Sequence, residues 1–287
     1  MENYEEYREA GKIARNALQL GIRSIKEGVS YKEVAEKVEE YIKAKGAKPA
    51  FPVNISVNSV AAHFTPSNNC KEVFKKGDLV KLDVGAHING CIGDTAMTIE
   101  VATKKHAKLI EAAEEALKEA IRIIKAGIKI EEIGKSIEEK IKAYGFNPIK
   151  NLHGHSLERF KLHAGLSIPN FYTKNKKMLK EGQVVAIEPF VTNGVGIVID
   201  SGLGNIYRIE KRASIIKEIE RRFNALPFAE RWLHEIYGER TPLKLSFLLK
   251  RRIIAPYFKL VEMKGGMVSQ AEHTLYVTDD GCEILTL

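Results

Sequence analysis

Residues 26–49 read KEGVSYKEVAEKVEEYIKAKGAKP, and at an offset of 99 residues 125–148 read KAGIKIEEIGKSIEEKIKAYGFNP. Ten of the 24 positions are identical, and Val34/Ile133 and Val38/Ile137 exchange one branched apolar side chain for another. Each copy follows a long helical pattern, over roughly 4–26 and 104–125, that breaks at Gly28 or Gly127. A second amphipathic helix then runs with apolar residues three and four apart. It stops where Gly46 or Gly145 supplies a C-terminal cap, and Pro49 or Pro148 follows three residues later. Two unrelated Lys/Glu-rich helices would share composition but would not keep both glycines and both prolines in register. The chain is read as an internal duplication.

The likeness continues into strands. Residues 76–83, KGDLVKLD, mirror residues 181–188, EGQVVAIE, at an offset of 105. Each is a turn leading into a buried apolar strand that ends on a carboxylate, Asp83 in one half and Glu188 in the other. Halves meeting along these strands set the two acids across a pseudo-two-fold axis. The expected architecture is α+β, a single domain over 1–287. It has two pseudo-symmetric α-α-β-β halves, with helices covering one face of a curved antiparallel sheet. A helical insertion at roughly 203–260 interrupts the second half, and the sheet resumes at 266–277 and closes with 283–287.

Composition narrows the class. The chain has 287 residues, 44% of them hydrophobic, enough for a sizeable core. No apolar run is long enough to span a membrane. The opening MENYEEYREAGKIARNAL is acidic and helix-patterned, unlike a signal peptide, so a cytoplasmic location is expected. Only Cys70, Cys91 and Cys282 are present, without a CxxC pair, which excludes a disulfide framework and a Cys-rich zinc site. Gln is scarce while Lys, Glu and Ile are abundant, a bias that leans toward a thermophilic source. The formal charge of +8 is local: residues 203–260 hold 13 Lys/Arg against 6 Asp/Glu, and the rest holds 32 against 31. The bland reading of that segment is a solvated helical face; the sharper one is a contact with ribosomal RNA.

Candidate chemistry begins in the stretch 78–95, DLVKLDVGAHINGCIGDT, where Asn89-Gly90 is a two-residue hairpin signal. That turn pairs 88 with 91 and 85 with 94, so Asp94 lies diagonal to Asp83 on one sheet face, their Cβ atoms about 7 Å apart or less. Two carboxylates facing one way in a buried hairpin are costly to desolvate without a cation between them. His153, His155 and His163 fall within eleven residues in a glycine-interrupted segment. Glu188 is followed at once by Pro189, and Glu272 shares a strand face with Gln270 and Thr274. Any one of these alone reads more simply as a solvated or satisfied side chain. Together, two Asp, one His and two Glu form the ligand inventory of a two-metal hydrolytic site. No nucleotide-binding glycine motif, HExxH or GxSxG competes with it.

These residues sit in stretches that resemble the methionine aminopeptidases of the second type, in the short archaeal form without an N-terminal extension. The matching stretches are Phe51-Pro52, Ala61-Ala-His63-Phe-Thr-Pro66, Lys81-Leu-Asp83-Val-Gly85, Gly93-Asp94-Thr95, Asn151-Leu-His-Gly-His155-Ser, Ile187-Glu188-Pro-Phe190 and Gln270-Ala-Glu272-His-Thr274. The resemblance covers essentially the whole chain and includes the helical insertion that separates the second type from the first. It implies the pita-bread (creatinase/aminopeptidase) fold and removal of the first methionine from nascent polypeptides, with small second residues preferred. It further implies two divalent ions (Co, Mn, Fe or Zn) held by Asp83, Asp94, His155, Glu188 and Glu272, the last also with Asp94 bridging both. Glu188 would shuttle protons, His163 would contact the scissile carbonyl or its oxyanion, and His63 would lie beside the cleaved bond. Phe51 would wall the methionine pocket, and His153 stands where the family pattern varies. The Val53–Val57 stretch, VNISV, departs from the commoner Thr-Gly or Ser-Gly after Pro52. No association motif argues against a monomer. An Xaa-Pro aminopeptidase or prolidase uses similar ligands but usually adds an N-terminal domain. A non-catalytic relative that binds RNA or proteins would have lost ligands.

Overall fold

The computed structural model describes residues 3–287. Helices α1 (Tyr4–Ser24) and α2 (Tyr31–Ala44) precede the first half's strands, and α3 (Ala107–Ile123) and α4 (Ile130–Ala143) precede the second's. The second helix of each pair ends at the expected glycine: Gly46 and Gly145 adopt φ of +79° and +81°, the left-handed conformation that closes a helix. In the strands Leu79–Ile88 and Val184–Ile187, alternate residues turn to the helices. Val80, Leu82, Val84 and Ala86 meet Ala14, Leu18, Val34, Val38 and Ile42 in one apolar core. Val185 and Ile187 meet Ala113, Leu117, Ile133 and Ile137 in the other. The intervening residues, Asp83 among them, point to the opposite, concave face.

Strand registers carry the duplication. In the first half Lys48 pairs with His87 and Ser56 with Lys81. In the second, Asn147 pairs with Thr192 and His155 with Ala186, so both offsets, 99 and 105, recur in space. The third strand follows suit at an offset of 176: Gly85 faces Asp94, and Phe190 faces Gln270. The axis between the halves passes near the antiparallel bridge of Ala96 with Glu272. Two threonines close the seam symmetrically. Thr98 Oγ1 donates to Gln270 O at 2.6 Å and accepts from Gln270 N at 2.8 Å. Thr274 Oγ1 donates to Asp94 O and accepts from Asp94 N, both at 2.8 Å.

The structure adjusts three expectations. The hairpin register is as read, Ile88 opposite Cys91 and Gly85 opposite Asp94, but Asp83 sits inside a ten-residue strand rather than at its end. The apolar alternation simply continues past it. The 266–277 segment is two strands, Val268–Gln270 and His273–Val277, because the partner they follow is itself interrupted at Glu188-Pro189: the first pairs with Phe190–Thr192 and the second with Val184–Ile187. Finally, 203–209 and 254–260 are not helical. They belong to the paired strands Val198–Ile209 and Ile254–Glu262, whose bulges at 200–206 blur the period-two pattern. The helical part of the insertion is therefore 210–253, with α5 (Lys217–Phe223), α6 (Glu230–Tyr237) and α7 (Thr241–Lys250) around Tyr207, Phe228, Leu233 and Leu248. Among the described residues, no helix is long and apolar enough to cross a membrane.

Thr98→Val leaves the buried N–H and C=O of Gln270 unpaired and is expected to cost about 1–3 kcal/mol, read as a lower denaturant midpoint at unchanged slope. Thr274→Val, its symmetry mate, is expected to cost a similar amount. A change within measurement error in both would disprove the seam.

Candidate metal centre

Where the two halves face each other, the concave sides of their strands bound a cavity of about 220 Å³. Asp83 and Asp94 enter it from the hairpin, His155 from strand His153–Leu157, Glu188 from just beyond Val184–Ile187, and Glu272 from the break between Val268–Gln270 and His273–Val277. Ligand atoms of Asp94, His155 and Glu272 lie within 4.8 Å of one another. His155 Nε2 is 3.5 Å from Glu188 Oε1 and 3.9 Å from Asp94 Oδ2. The Gln270 amide donates to Glu272 Oε2 at 3.2 Å. Phe51, His63 and His163 line the same cavity.

The electrostatics follow from burial. Desolvation, then repulsion from neighbouring carboxylates, raises Asp94, Glu188 and Glu272 well above ordinary carboxylate values. Asp83 is pushed up to about 7 by burial, opposed by a hydrogen bond from Gln270. One oxygen each of Asp83 and Asp94 is buried without a hydrogen-bond partner among the described residues. Burial, then the neighbouring His163, lowers His155 to about 3 and His63 to about 4, and burial lowers His163. Neutral imidazoles beside carboxylates that cannot all ionise unaided form a donor set that fits divalent cations, and the orphaned oxygens fit it too.

The remaining walls come from farther away in sequence. His63 adopts φ of +63°, and its ring meets Tyr257 edge-on at 5.2 Å, with the Arg208 guanidinium 5.1 Å from the centre of Tyr257. Its loop is clamped by the bulge of the insertion's strand: a Cβ on Gly204 would fall 1.8 Å from His63 O, so only glycine fits there. His163 stacks edge-on to His155 with ring centres 4.4 Å apart. His153 also lines the cavity, but Ser167 Oγ and Lys150 O occupy both its nitrogens. Ala62, Asn151, Leu152 and Phe190 line it from within the motif stretches without having been given a role, and Asn54, Leu162, Ile206, Pro227 and Tyr257, not singled out from the sequence, complete the lining. Asn54 had a signal, since it lies opposite Asp83 across the strands. Tyr257 had none, its direction being set by an arm whose register the bulges shift.

Comparison with known proteins agrees with this geometry. Residues 5–218 match the family Metallopeptidase family M24. The methionine aminopeptidase of Archaeoglobus fulgidus is 47% identical over 291 residues, covering 98% of each chain. That of Thermococcus onnurineus is 46% identical over the full length of both. Among solved structures, the methionine aminopeptidase of Thermotoga maritima superposes with a TM-score of 0.74 at 27% identity, covering 98% of this chain and 95% of that one. The solved structures it resembles share the pita-bread fold that the family resemblance implied, in agreement with the duplication. With a family match over most of its length, relatives of this identity end to end, and a buried Asp/His/Glu cluster suited to divalent metal, the chain belongs to metallopeptidase family M24.

Proposed function

We propose that the cavity removes N-terminal methionine through Asp83, Asp94, His155, Glu188 and Glu272 holding two divalent ions at its base. The observation that carries the reading is the group of four desolvated, mutually repelling carboxylates, Asp94 and Glu272 buried and Asp83 and Glu188 partly buried, at the floor of a cavity with partly apolar walls. Within the set, Asp83 would hold one ion and His155 with Glu188 the other, with Asp94 and Glu272 shared between them. What two such ions supply when bound is Lewis acidity, toward the scissile carbonyl and toward an attacking water. Co, Mn, Fe and Zn all suit these ligands.

The chain's own groups do the rest. Phe51 walls the pocket for the methionine side chain, packed so closely on the backbone that a Cβ on Gly85 would meet its ring at 2.2 Å. Glu188 takes the proton of the attacking water and returns it to the leaving amine. His163, beside His155, donates a hydrogen bond to the oxygen that becomes negative. His63 lies along the peptide bond and orients the second residue, for which a confined cavity favours small side chains. The enzyme acts as a cytoplasmic monomer on nascent chains. The exposed cations of the insertion, Arg240, Lys250, Arg251 and Arg252, give it a surface for ribosomal RNA.

His163→Ala is expected to keep its metal content and lose roughly 10²–10³ in turnover; near-normal turnover would remove it from the mechanism. Metal-loaded protein is expected to cleave Met-Ala-Ser, to leave intact a proline-second peptide that does not begin with methionine, and to stop when a chelator removes the metal. Inertness toward every peptide at stoichiometric metal would favour a binding protein instead.

A further inference from the structure

Two segments supply much of one side of the cavity, residues 51–54 and 62–65, and they are tied to each other directly. Ile55 N donates to Phe64 O at 2.8 Å, and Thr65 Oγ1 donates to Val53 O at 2.7 Å. Arg231 of α6, in the helical insertion, reaches this junction from outside. Its Nη1 donates to Thr65 Oγ1 at 2.7 Å and to Pro66 O at 3.0 Å, while Nη2 pairs with Glu39 of α2. Glu39 closes the ring by accepting from Val53 N at 3.1 Å and from Trp232 Nε1 at 2.8 Å. Thr65 is held to the insertion from its other side as well, Thr65 N donating to Gly204 O and Asn205 Nδ2 to Thr65 O.

Arg231 is 5% exposed, Glu39 3% and Thr65 0%. An ion pair this deep is an inefficient adhesive, because apolar side chains of the same volume commonly serve as well without the desolvation cost. What the pair adds is direction: a planar guanidinium fork sets three acceptors at fixed distances, which an ammonium or a leucine cannot do. Thr65 and Pro66 sit two and three residues from His63, and Glu39 holds Val53, two residues from Phe51. Arg231 itself is not part of the cavity lining.

We propose that Arg231 is a positioning residue through which the insertion fixes the spacing of the His63 and Phe51 walls, and so selects the side chain accepted after the substrate's methionine. This rests on the cavity being an N-terminal methionine site. The test compares kcat/KM for Met-Ala-Ser and Met-Val-Ser in the metal-loaded full chain. The variants are Thr65→Val, Arg231→Lys, and Arg231→Leu combined with Glu39→Leu. Thr65→Val and the double variant are expected to narrow the wild-type discrimination at least fivefold, and Arg231→Lys to recover part of it. A merely structural loss lowers the active fraction, which reduces both rates in proportion and leaves their ratio alone. A ratio within twofold of wild type in Thr65→Val overturns the proposal, and this nearly isosteric variant decides the matter if the double variant fails to fold. Wild-type protein that cleaves neither peptide overturns the activity itself and this role with it, whereas cleavage with an unmoved ratio overturns only the role.

Discussion

Four carboxylates gathered face to face, two of them buried and two partly buried, are the constraint on which the rest of this structure depends. Each would cost several kcal/mol to ionise in isolation at such depth, and together they repel. A fold keeps such a group only if the elements presenting it are stiff and a counter-charge is supplied. Stiffness comes from the duplicated sheet, whose two apolar cores brace the opposite face of the strands that carry Asp83 and precede Glu188. The counter-charge fits divalent cations, since among the described residues no lysine or arginine lines the cavity.

The duplication explains how one axis builds an asymmetric site. Its registers are preserved at both offsets, yet the residues at equivalent positions differ: Asp83 matches Glu188, Ser56 matches His155, and Asp94 matches Gln270. Symmetric scaffolding thus presents a carboxylate on each side, while the imidazole beside the carboxylates, His155, stands where the first half has Ser56. Gln270, occupying the position equivalent to Asp94, donates to Glu272 and so steadies an acid that Asp94 would repel. The insertion adds what the axis cannot supply, clamping the His63 loop at Gly204 and bracing it through Arg231.

Much of this was legible in the chain because it is local or repeated. The paired glycines and prolines at offset 99 disclosed the halves, and Asn89-Gly90 fixed the register that sets Asp94 diagonal to Asp83. Side chains whose meaning depends on distant partners stayed hidden. Glu39 and Arg231 are separated by 192 positions and read as ordinary helix charges. Tyr257 reads as one more aromatic on a strand. The true limits of the insertion were blurred by its bulges, where Gly202-Leu203-Gly204-Asn205 breaks the alternation that marks a strand.

The central claim, that cations relieve this carboxylate group, has a definite pH signature. Asp83 is held at about 7, above its unfolded range near 4. The folded protein therefore keeps a proton that the unfolded chain releases. The metal-free fold has that contribution in full below about pH 4 and loses it as pH rises toward 7. A bound cation favours the ionised form, so its stabilising effect should grow across the same window. The decisive measurement is the Tm gain on adding Mn²⁺ to metal-free protein at a series of pH values between 5 and 8, in the wild type and in Asp94→Asn. The account predicts a gain that rises steadily with pH in the wild type and largely disappears in the variant. A gain that is absent, flat with pH, or undiminished in Asp94→Asn would contradict it.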